Sequence, residues 1–316
     1  MKPPYDLRRL RPWELALTGL ALCAPLLLPL AWQASPAFVG AAIAQDMQEA
    51  DTSRLVSVGG AVTEIVYALG EEERLVGRDS TSVYPEAAMK LPDVGYMRQL
   101  SAEGVMAINP SAIIAVEGSG PPETLTVLEN ADIPFRMVPE TYDRSGILTK
   151  IRTVGDFLGV PEKAADLAGK VEADLDAAIA DAAGRPESER KRVLFILSMQ
   201  DGKILASGSG TAADAIIALS GAINATSAFP GYKALSDEAI IEAKPDVVLM
   251  MTRSGGHAAT DDELFAHPAL SLTPAAKTQA AIRMDGLHLL GFGPRTAGAV
   301  RELNAAIYGK NPNASQ

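Results

Sequence analysis

A gapless internal repeat is the feature that most constrains this chain. The stretch LSAEGVMAINPSAIIAVEGSG at residues 100–120 aligns with LSDEAIIEAKPDVVLMMTRSG at residues 235–255. Both copies read Leu-Ser-x-Glu, an apolar helix face, a proline and a continuous apolar run, which predicts a helix leading into a buried strand. Any α/β unit has this outline, but the shared Leu, Ser, Glu, Pro and final Ser-Gly favour a duplication. The repeat therefore predicts two similar α/β halves.

Apolar runs of strand length alternate with helical patterns along the first half of the chain. The predicted strands are RLVSVGG, SAIIAVEGSG and IPFRMVPE, and the predicted helices are AVTEIVYALG, which ends at Gly70, and PPETLTVLENAD. Strands that alternate with helices predict a parallel sheet with helices on both faces. A second series of the same kind begins at RVLFILS, residues 192–198.

Residues 147–183 break this alternation because they are almost entirely helical, apart from LGVP at residues 158–161. The predicted fold class is α/β, with two Rossmann-like lobes that contain parallel sheets and are joined by one long helix. We place the N-terminal lobe at residues 45–145, the linking helix at 146–186 and the C-terminal lobe at 187–316. After Pro161, apolar residues recur every three or four positions and predict one apolar helix stripe: Ala164, Leu167, Ala168, Val171, Leu175 and Ile179.

The N-terminal segment has the layout of a secretory signal peptide. MKPPYDLRRLRPW is basic, an apolar run extends from Leu15 to Trp32, and AAIA offers an Ala-x-Ala cleavage site before Gln45. We therefore predict a cleaved signal peptide at residues 1–44 and a mature protein in the periplasm. The apolar run is long for such a peptide, so an uncleaved membrane anchor is the alternative. Two prolines inside the run favour cleavage.

Charge and motif content argue against two classes of function. The chain carries a formal net charge of −11, and an acidic surface repels phosphate backbones, so we predict no nucleic-acid partner. Its single cysteine, Cys23, lies in the leader, which leaves no disulfide and no Cys-His pair for the mature chain. Neither a G-x-S-x-G elbow nor an H-E-x-x-H motif occurs. We therefore predict that the protein is not an enzyme.

A second pair of matching stretches places an aromatic residue in a loop of each lobe. TSVYP at residues 81–85 matches TSAFP at residues 226–230. Ligands of open α/β sheets bind in the crevice beyond the carboxyl ends of the strands, where such loops meet. The proline after Tyr84 restricts the Tyr84 backbone to an extended conformation. Tyr84 and Phe229 therefore either hold a flat, apolar ligand between the lobes or fill the cores of their own lobes.

Four longer stretches carry a family resemblance: VSVGGAVTEIVYALG, GRDSTSVYPEAAMKLPDVGYMRQLSAEGV, ASGSGTAADAIIAL and MDGLHLLGFGPRTA. Together they resemble the substrate-binding proteins of ABC-type haem importers, a group akin to the vitamin B12 and siderophore binding proteins. The resemblance spans nearly the whole mature chain. It implies a class III periplasmic binding protein that holds haem in the cleft between its lobes and delivers it to an inner-membrane permease and its ATPase. We also expect a monomer.

The resemblance implies that Tyr84 is the axial ligand of the haem iron, because in such proteins the tyrosine before the proline ligates the metal. A phenolate oxygen is a hard anionic donor that suits ferric iron. Deprotonation of a phenol needs help from the metal and from a nearby cation, for which Arg78 and Arg98 are candidates. Either arginine could instead pair with a haem propionate or be a solvated surface residue.

Five-coordinate iron, with Tyr84 as its only protein ligand, is the default expectation. His257, Met199 and Tyr232 are candidates for a second ligand, and Met199 is also expected as an apolar contact. Gly208 and Gly210 precede a predicted helix, where they either offer backbone N–H groups to a propionate or form a plain tight turn. The full set of haem-pocket candidates is Arg78, Ser82, Tyr96, Arg98, Met199, Phe229, Tyr232, Arg253 and His257.

Glu103 and Glu238 occupy equivalent places in the two copies of the repeat. In the vitamin B12 binding relatives, glutamates at this motif position pair with arginines of the permease. The resemblance therefore implies that Glu103 and Glu238 dock the protein on its permease. The alternative is two ordinary acidic residues in first helical turns, where the helix dipole stabilises them.

The main alternative function is the same fold with another cargo, a ferric siderophore or a cobalamin. Siderophore pockets usually gather arginines and tryptophans, whereas both tryptophans of this chain, Trp13 and Trp32, lie in the leader. A zinc or manganese binding protein would need several histidines in cleft loops, and His257 alone is placed for that role. The sequence therefore favours haem, as a transported ligand.

Overall fold

The computed structural model of the protein describes residues 51–252 and 259–309. The predicted signal peptide and the two pocket candidates Arg253 and His257 lie outside the described residues. Within the two described ranges, no helix is both long enough and apolar enough to cross a membrane.

The first sheet contains four parallel strands in the order β2-β1-β3-β4. Strand β1 lies between β2 and β3, so the chain adds β2 on one side of β1 and then β3 on the other side. Open α/β sheets bind ligands at such a change in strand order, beyond the carboxyl ends of the strands. Alternate side chains of β1 and β3 point to opposite faces, so one face packs on α1 and the other packs on α2 and α3. The bounds are β1 (Leu55–Val58), α1 (Gly60–Ala68), β2 (Leu75–Arg78), α2 (Ala102–Met106), β3 (Ala112–Val116), α3 (Pro122–Glu129) and β4 (Phe135–Val138).

The connection between the lobes is helical, with the break that the sequence predicted and a long helix after it. Helix α4 spans Arg144–Phe157 and helix α5 spans Pro161–Ala182. The break lies at the predicted position, because Gly159 adopts a positive φ of 69° and Pro161 begins the next helix. The predicted apolar stripe of α5 is confirmed, since its residues are buried or packed against the core.

The second sheet has the order β10-β9-β5-β6-β8, with β7 paired to the start of β5. It is mixed, because β5, β7, β9 and β10 are parallel whereas β6 and β8 pair in antiparallel fashion. The cause is a tight hairpin after β5, in which Asp201 and Gly202 have φ values of 50° and 72°. The strands are β5 (Arg192–Gln200), β6 (Lys203–Ser207), β7 (Ile223–Asn224), β8 (Tyr232–Leu235), β9 (Val247–Thr252) and β10 (Ala281–Asp285).

The helices of the second half cover both faces of this sheet. The longest is α11, which packs against α5 and α6 and so connects the C-terminal segment to the linking region. Their bounds are α6 (Ala212–Leu219), α7 (Asp237–Ala243), α8 (Asp261–Ala266), α9 (Pro274–Thr278), α10 (Gly286–Leu290) and α11 (Thr296–Tyr308).

The internal repeat folds as the sequence predicts. In each copy a serine begins a short helix, and the helix leads through a proline into a strand: α2 into β3, and α7 into β9. The side chain of Ser101 accepts a hydrogen bond from the backbone N–H of Gly104, and Ser236 does the same for Ala239. The two copies are therefore the same structural unit.

One hydrophobic core extends through both lobes. Ile65 of α1, Leu175 of α5, Phe195 of β5 and Val300 of α11 are fully buried and belong to a single apolar cluster. The halves also approach closely near α1, because a side chain at Gly60 would overlap Leu287. The two sheets are thus held by shared packing.

Candidate ligand-binding cleft

The loop after β2 is held by a buried carboxylate. Asp79 is fully buried, and its side chain accepts hydrogen bonds from the backbone N–H groups of Gly59 and Thr81, both at 2.9 Å. The hydroxyls of Thr81 and Ser82 also donate to it, each at 2.7 Å. This network joins the carboxyl ends of β1 and β2 and fixes the residues before Tyr84.

Tyr84 projects from this fixed loop with a free hydroxyl. Its side chain is 42% exposed, and its hydroxyl forms no hydrogen bond with any described residue. The peptide bond between Tyr84 and Pro85 is cis. The sequence left two interpretations open: Tyr84 lies in the cleft, or it fills the core of its own lobe. The exposure of the Tyr84 side chain supports the cleft.

A cation from the other half of the chain covers the Tyr84 ring. The Arg295 guanidinium carbon lies 3.5 Å from the ring centroid, at the start of α11. Glu64 of α1 orients this arginine, because its carboxylate accepts hydrogen bonds from the Arg295 backbone N–H at 3.1 Å and from Nε at 3.0 Å. Since His288 Nδ1 lies 3.3 Å from Arg295 Nη1, the guanidinium has polar neighbours on two sides. The site therefore combines a phenol with a fixed positive charge.

The matching loop of the second sheet begins with a similar hydrogen-bonded turn. Asn224 takes the place of Asp79, and its Oδ1 accepts hydrogen bonds from the backbone N–H and the hydroxyl of Thr226 at 3.0 and 3.1 Å. Phe229 is half-buried, its ring lies against Gly208, and Lys233 Nζ lies 5.9 Å from the ring centroid. The sequence match between TSVYP and TSAFP thus extends to the hydrogen bonds at the start of each loop, whereas the bond before the proline is cis in TSVYP and not in TSAFP.

Tyr232 lies where the two lobes meet. Burial of its hydroxyl raises the pKa of Tyr232, and the nearby Tyr142 of the N-terminal lobe raises it further. The positive charge of Arg98 and the hydroxyls of Thr211 and Ser207 act in the opposite direction. Burial likewise raises the pKa of Tyr142, whose ring packs edge-on against Phe292 at 5.4 Å. Groups of both lobes therefore lie near the Tyr232 phenol.

The structure separates the two arginine candidates. Arg78 forms a 2.7 Å ion pair with Asp93 and donates to the Asp79 backbone, so its charge is already compensated. Arg98 is exposed and donates a 2.7 Å hydrogen bond to the Tyr96 hydroxyl. Tyr96 is itself 39% exposed. Arg98 and Tyr96 are therefore exposed, whereas Arg78 supports the loop.

Two further candidates have local packing roles. Ser82 is fully buried, and its hydroxyl is shared between Asp79 and Thr63, so it supports the loop and does not line the cleft. Met199 lies near the end of β5, half-buried against the core of the second sheet. This position favours the expected apolar contact over iron ligation.

The glycine loop before α6 is a tight turn. The backbone N–H groups of Gly208, Ser209 and Gly210 donate to the Gly231 carbonyl, the Phe229 carbonyl and the Asp214 carboxylate. Because these three donors already have acceptors within the chain, the structure favours the plain turn over a propionate cradle.

Glu103 and Glu238 are exposed in the first turns of α2 and α7. Hydrogen bonds to its own backbone N–H and to Ser236 lower the pKa of Glu238, so this carboxylate is charged at neutral pH. The two glutamates are therefore available to a partner on matching elements of the two lobes.

Sequence reasoning missed three residues of this region: Arg295, Tyr142 and Lys233. Tyr142 follows the carboxyl end of β4, which is a position that the crevice rule marks. Lys233 directly follows Tyr232, which the sequence did identify as a candidate. Arg295 belongs to a quoted stretch, GFGPRTA, but it lies far from Tyr84 along the chain, and no sequence signal joins them.

Residues 55–286 match the family described as periplasmic binding protein. The chain belongs to this family. The chain is also similar to the periplasmic haem-binding protein RhuT from Roseiflexus sp. RS-1, with 38% identity, a TM-score of 0.77, and coverage of 81% of this chain and 98% of RhuT. These values extend the likeness over most of this chain.

Two curated proteins are more distant relatives. The ABC transporter substrate-binding lipoprotein YvrC of Bacillus subtilis (strain 168) is 26% identical over 260 residues, which cover 82% of this chain and 81% of YvrC. The vitamin B12-binding protein of Yersinia pestis (strain Pestoides F) is 28% identical over 200 residues, or 62% of this chain and 69% of that protein. The names of both relatives therefore describe proteins that bind a substrate.

Proposed function

We propose that the mature protein binds ferric haem in the cleft between its lobes, in the periplasm, and passes it unchanged to an ABC permease and its ATPase. The observation that carries the proposal is the Tyr84 phenol, which is exposed, free of hydrogen bonds to described residues, and covered by the Arg295 guanidinium at 3.5 Å. A free phenol in an exposed position suits an axial oxygen ligand of ferric iron.

The remaining cleft residues suit the other parts of a haem. Tyr96 and Tyr232, which are 39% and 41% exposed, offer aromatic surface to a porphyrin plane, and Phe229 adds a half-buried ring. Arg98 and Lys233 are exposed cations that can pair with the two propionates. Iron with Tyr84 as its single protein ligand is the simplest coordination, since Met199 packs in its own lobe.

The cobalamin alternative draws support from the vitamin B12-binding relative. The likeness to the haem-binding relative is higher in identity and covers more of this chain, which supports haem over cobalamin. A phenol that is free to bind a metal also suits haem, because its iron accepts an axial oxygen ligand.

The deciding experiment is a titration of the purified apo-protein with haemin, followed by visible spectroscopy. We expect a saturable bound spectrum with a tyrosinate-to-iron charge-transfer band. Parallel titrations with cyanocobalamin and with a ferric hydroxamate siderophore should give no binding. Saturable binding of either competitor without haemin binding would replace the proposal with that cargo.

Tyr84→Phe is the sharpest variant because it keeps the ring that Arg295 covers and removes one oxygen atom. The charge-transfer band should disappear, whereas Tyr96→Phe and Tyr232→Phe, as matched removals of cleft hydroxyls, should retain it. A Tyr84→Phe protein with an unaltered haem spectrum would contradict the ligand assignment.

We further propose that Glu103 and Glu238 dock the loaded monomer on two basic sites of the permease. The proposal is supported by the equivalent positions of the two glutamates. Each is exposed, follows a capping serine by two positions and lies in the first turn of its repeat helix. The double variant Glu103→Gln with Glu238→Gln should bind haemin normally but lower haem uptake by the reconstituted transporter. Undiminished uptake would count against docking through these residues.

A further inference from the structure

His288 lies beside the proposed site, and the proposed function gives it no role. It belongs to α10, and only 17% of its side chain is exposed. Its Nδ1 lies 3.3 Å from Arg295 Nη1, and its Nε2 lies 3.3 Å from a carboxylate oxygen of Glu302 on α11. Arg295 in turn covers the Tyr84 ring. The imidazole therefore contacts the residue that contacts the proposed ligand.

The contact with Arg295 fixes which nitrogen of the His288 ring carries the proton. A guanidinium has five N–H donors and no acceptor, so Nη1 donates at this contact and Nδ1 must accept. Because Nδ1 can accept only when it carries no proton, the single proton of the neutral ring lies on Nε2. Nε2 is also the nitrogen that faces the Glu302 carboxylate, which is an acceptor. Both ring nitrogens thus face the partners that a neutral histidine requires.

Arg295 is held from two sides. The carboxylate of Glu64 accepts hydrogen bonds from the Arg295 backbone N–H and Nε, and it forms a 2.9 Å ion pair with Nη2. This leaves Nη1, whose acceptor is His288. A planar guanidinium that is bound at both ends keeps its orientation, and the Tyr84 ring packs on it. His288 therefore helps to fix the direction in which the Tyr84 ring carries its hydroxyl.

A proton on Nδ1 would remove the contact with Arg295. The ring would then present an N–H donor and a positive charge 3.3 Å from a side chain that is always charged. Two carboxylates offset the charge of the protonated ring: Glu302, and Asp285, which caps α10 and accepts a hydrogen bond from the His288 backbone N–H at 2.8 Å. Histidine ordinarily changes its charge at about pH 6.5. Mild acid therefore removes one of the two supports of Arg295.

Other charged groups near α10 have partners elsewhere. Helix α10 packs against α6, α11, β9 and β10. Asp214 of α6, Arg283 of β10 and Arg301 of α11 each bond to a side chain outside these four elements. Strand β9 carries no charged side chain. The charge of the His288 ring therefore depends on Arg295 and on the two carboxylates beside it.

We propose that His288 is a positioning residue, which keeps Arg295 on the Tyr84 ring at neutral pH and releases it in mild acid, so that retention of the cargo depends on pH. Since the neutral ring favours the bound state, affinity falls as the pH decreases through the range in which His288 gains its proton. The inference rests on the proposed function for the cargo, haem. The coupling between His288 and Tyr84 is a property of the empty protein as well.

The first measurement therefore uses the protein without cargo. Histidine labelled with ¹⁵N and tyrosine labelled with ¹³C allow both rings to be followed by NMR between pH 8 and pH 5.5, with signals assigned through His288→Asn and Tyr84→Phe. At pH 8 we expect an unprotonated Nδ1 in His288. As His288 gains its proton, the ring signals of Tyr84 should shift over the same pH range. Tyr84 signals that stay constant while His288 titrates would overturn the inference.

The second measurement follows the release of haemin from the loaded protein to an excess of a haem scavenger, as the decay of the tyrosinate charge-transfer band. Wild-type release should be roughly 3- to 10-fold faster at pH 5.5 than at pH 7.5, which is the effect of one lost hydrogen bond. His288→Asn keeps an acceptor for Arg295 but cannot gain a proton, so it should release slowly at both pH values. His288→Leu has no acceptor and should release quickly at both.

His267→Asn is the matched control, because His267 bonds to Gly202 and Ala269 in another part of the C-terminal lobe. It should keep the wild-type difference between the two pH values. Acceleration in acid that His288→Asn retains would assign the effect to another group and contradict the proposal, as would slow release by His288→Leu at pH 7.5. If the NMR signals are coupled but the wild-type protein binds no haemin, the proposed cargo is wrong and the positioning of Tyr84 by His288 stands.

Discussion

The guanidinium of Arg295 lies over the ring of Tyr84, with 3.5 Å between the guanidinium carbon and the ring centroid. Glu64 holds the arginine through a 2.9 Å ion pair with Nη2 and is almost fully buried. Tyr84 and Glu64 belong to the N-terminal lobe, whereas Arg295 directly precedes α11. The contact therefore ties the proposed ligand to both halves of the molecule.

Replacement of Arg295 by lysine should weaken haem binding by roughly 2- to 30-fold, which corresponds to about 0.5 to 2 kcal/mol for a cation over an aromatic ring. Lysine keeps the positive charge that Glu64 needs but loses the planar group that stacks on Tyr84. Haemin titration measures the effect. Arg301→Lys, at an exposed ion pair with Asp174, is the matched control and should bind haemin normally. Equal affinities for wild type and Arg295→Lys would limit Arg295 to a structural role.

The ion pair between Lys150 and Glu140 should be sensitive to the removal of one partner. Lys150 is fully buried and lies 2.7 Å from Glu140 and 3.3 Å from the Gly291 carbonyl oxygen. Lys150→Met should lower the free energy of unfolding by up to about 3 kcal/mol, because it leaves the half-buried Glu140 carboxylate without its partner. Urea unfolding measures the change.

The double variant Lys150→Met with Glu140→Gln should recover much of that loss, since neither charge remains buried. Arg301→Met breaks an exposed pair and should cost less than about 1 kcal/mol. A loss for Lys150→Met as small as that of Arg301→Met would mean that water compensates the Glu140 charge.

Gly208→Ala should disturb the second half of the cleft. An added methyl group would overlap the carbonyl oxygen and the ring of Phe229, so Phe229 must move. We expect a loss of about 1 to 3 kcal/mol in the free energy of unfolding and weaker haem binding. Gly169→Ala, in the middle of α5 with open space around it, should instead stabilise the protein by up to about 1 kcal/mol. Normal haem affinity of Gly208→Ala would exclude the Phe229 ring from the pocket.

Asp143 should contribute stability that depends on pH. Hydrogen bonds from the Gly146 backbone N–H and from Ser145 lower the pKa of Asp143 at the start of α4. A carboxyl whose pKa is lower in the folded state stabilises the protein above its unfolded pKa, and this stability is lost as the pH falls through the folded pKa. Asp143→Ala should therefore cost about 1 kcal/mol at pH 7 and progressively less below pH 4.

Urea unfolding between pH 7 and pH 2.5 measures this difference. Asp166→Ala, on the exposed face of α5, is the control and should follow the wild-type acid profile. A deficit for Asp143→Ala that stays constant down to pH 2.5 would attribute the loss to the alanine side chain and not to the charge.

The sequence predicted the repeated units well because their signals are local. Gly70, the prolines that begin α3 and α5, and the serines before α2 and α7 act within one or two turns. The antiparallel part of the second sheet was not predicted, since it depends on a two-residue hairpin, Asp201 and Gly202, inside an otherwise continuous pattern. The break in the linking region was predicted because its signals are also local: Gly159 ends α4 before Pro161 begins α5.

The proposed site was predicted in outline only. Tyr84 and Phe229 stand out because each lies in a matching loop before a proline. The sequence does not distinguish Arg78 from Arg98. Only Arg78 forms an ion pair with Asp93, and that pair depends on how the loop folds back on β2. Arg295 reaches Tyr84 through tertiary structure alone, so a single sequence contains no signal for their contact.

The apolar cluster shared by Ile65, Leu175 and Phe195 limits how the protein moves. Wide hinge opening would expose this cluster to water, at a cost of about 25 cal/mol for each Å². We therefore expect crystal forms with and without cargo to superimpose closely, apart from loops and side chains at the mouth. Unloading must then draw on energy from outside the molecule, such as nucleotide-driven rearrangement of the membrane complex.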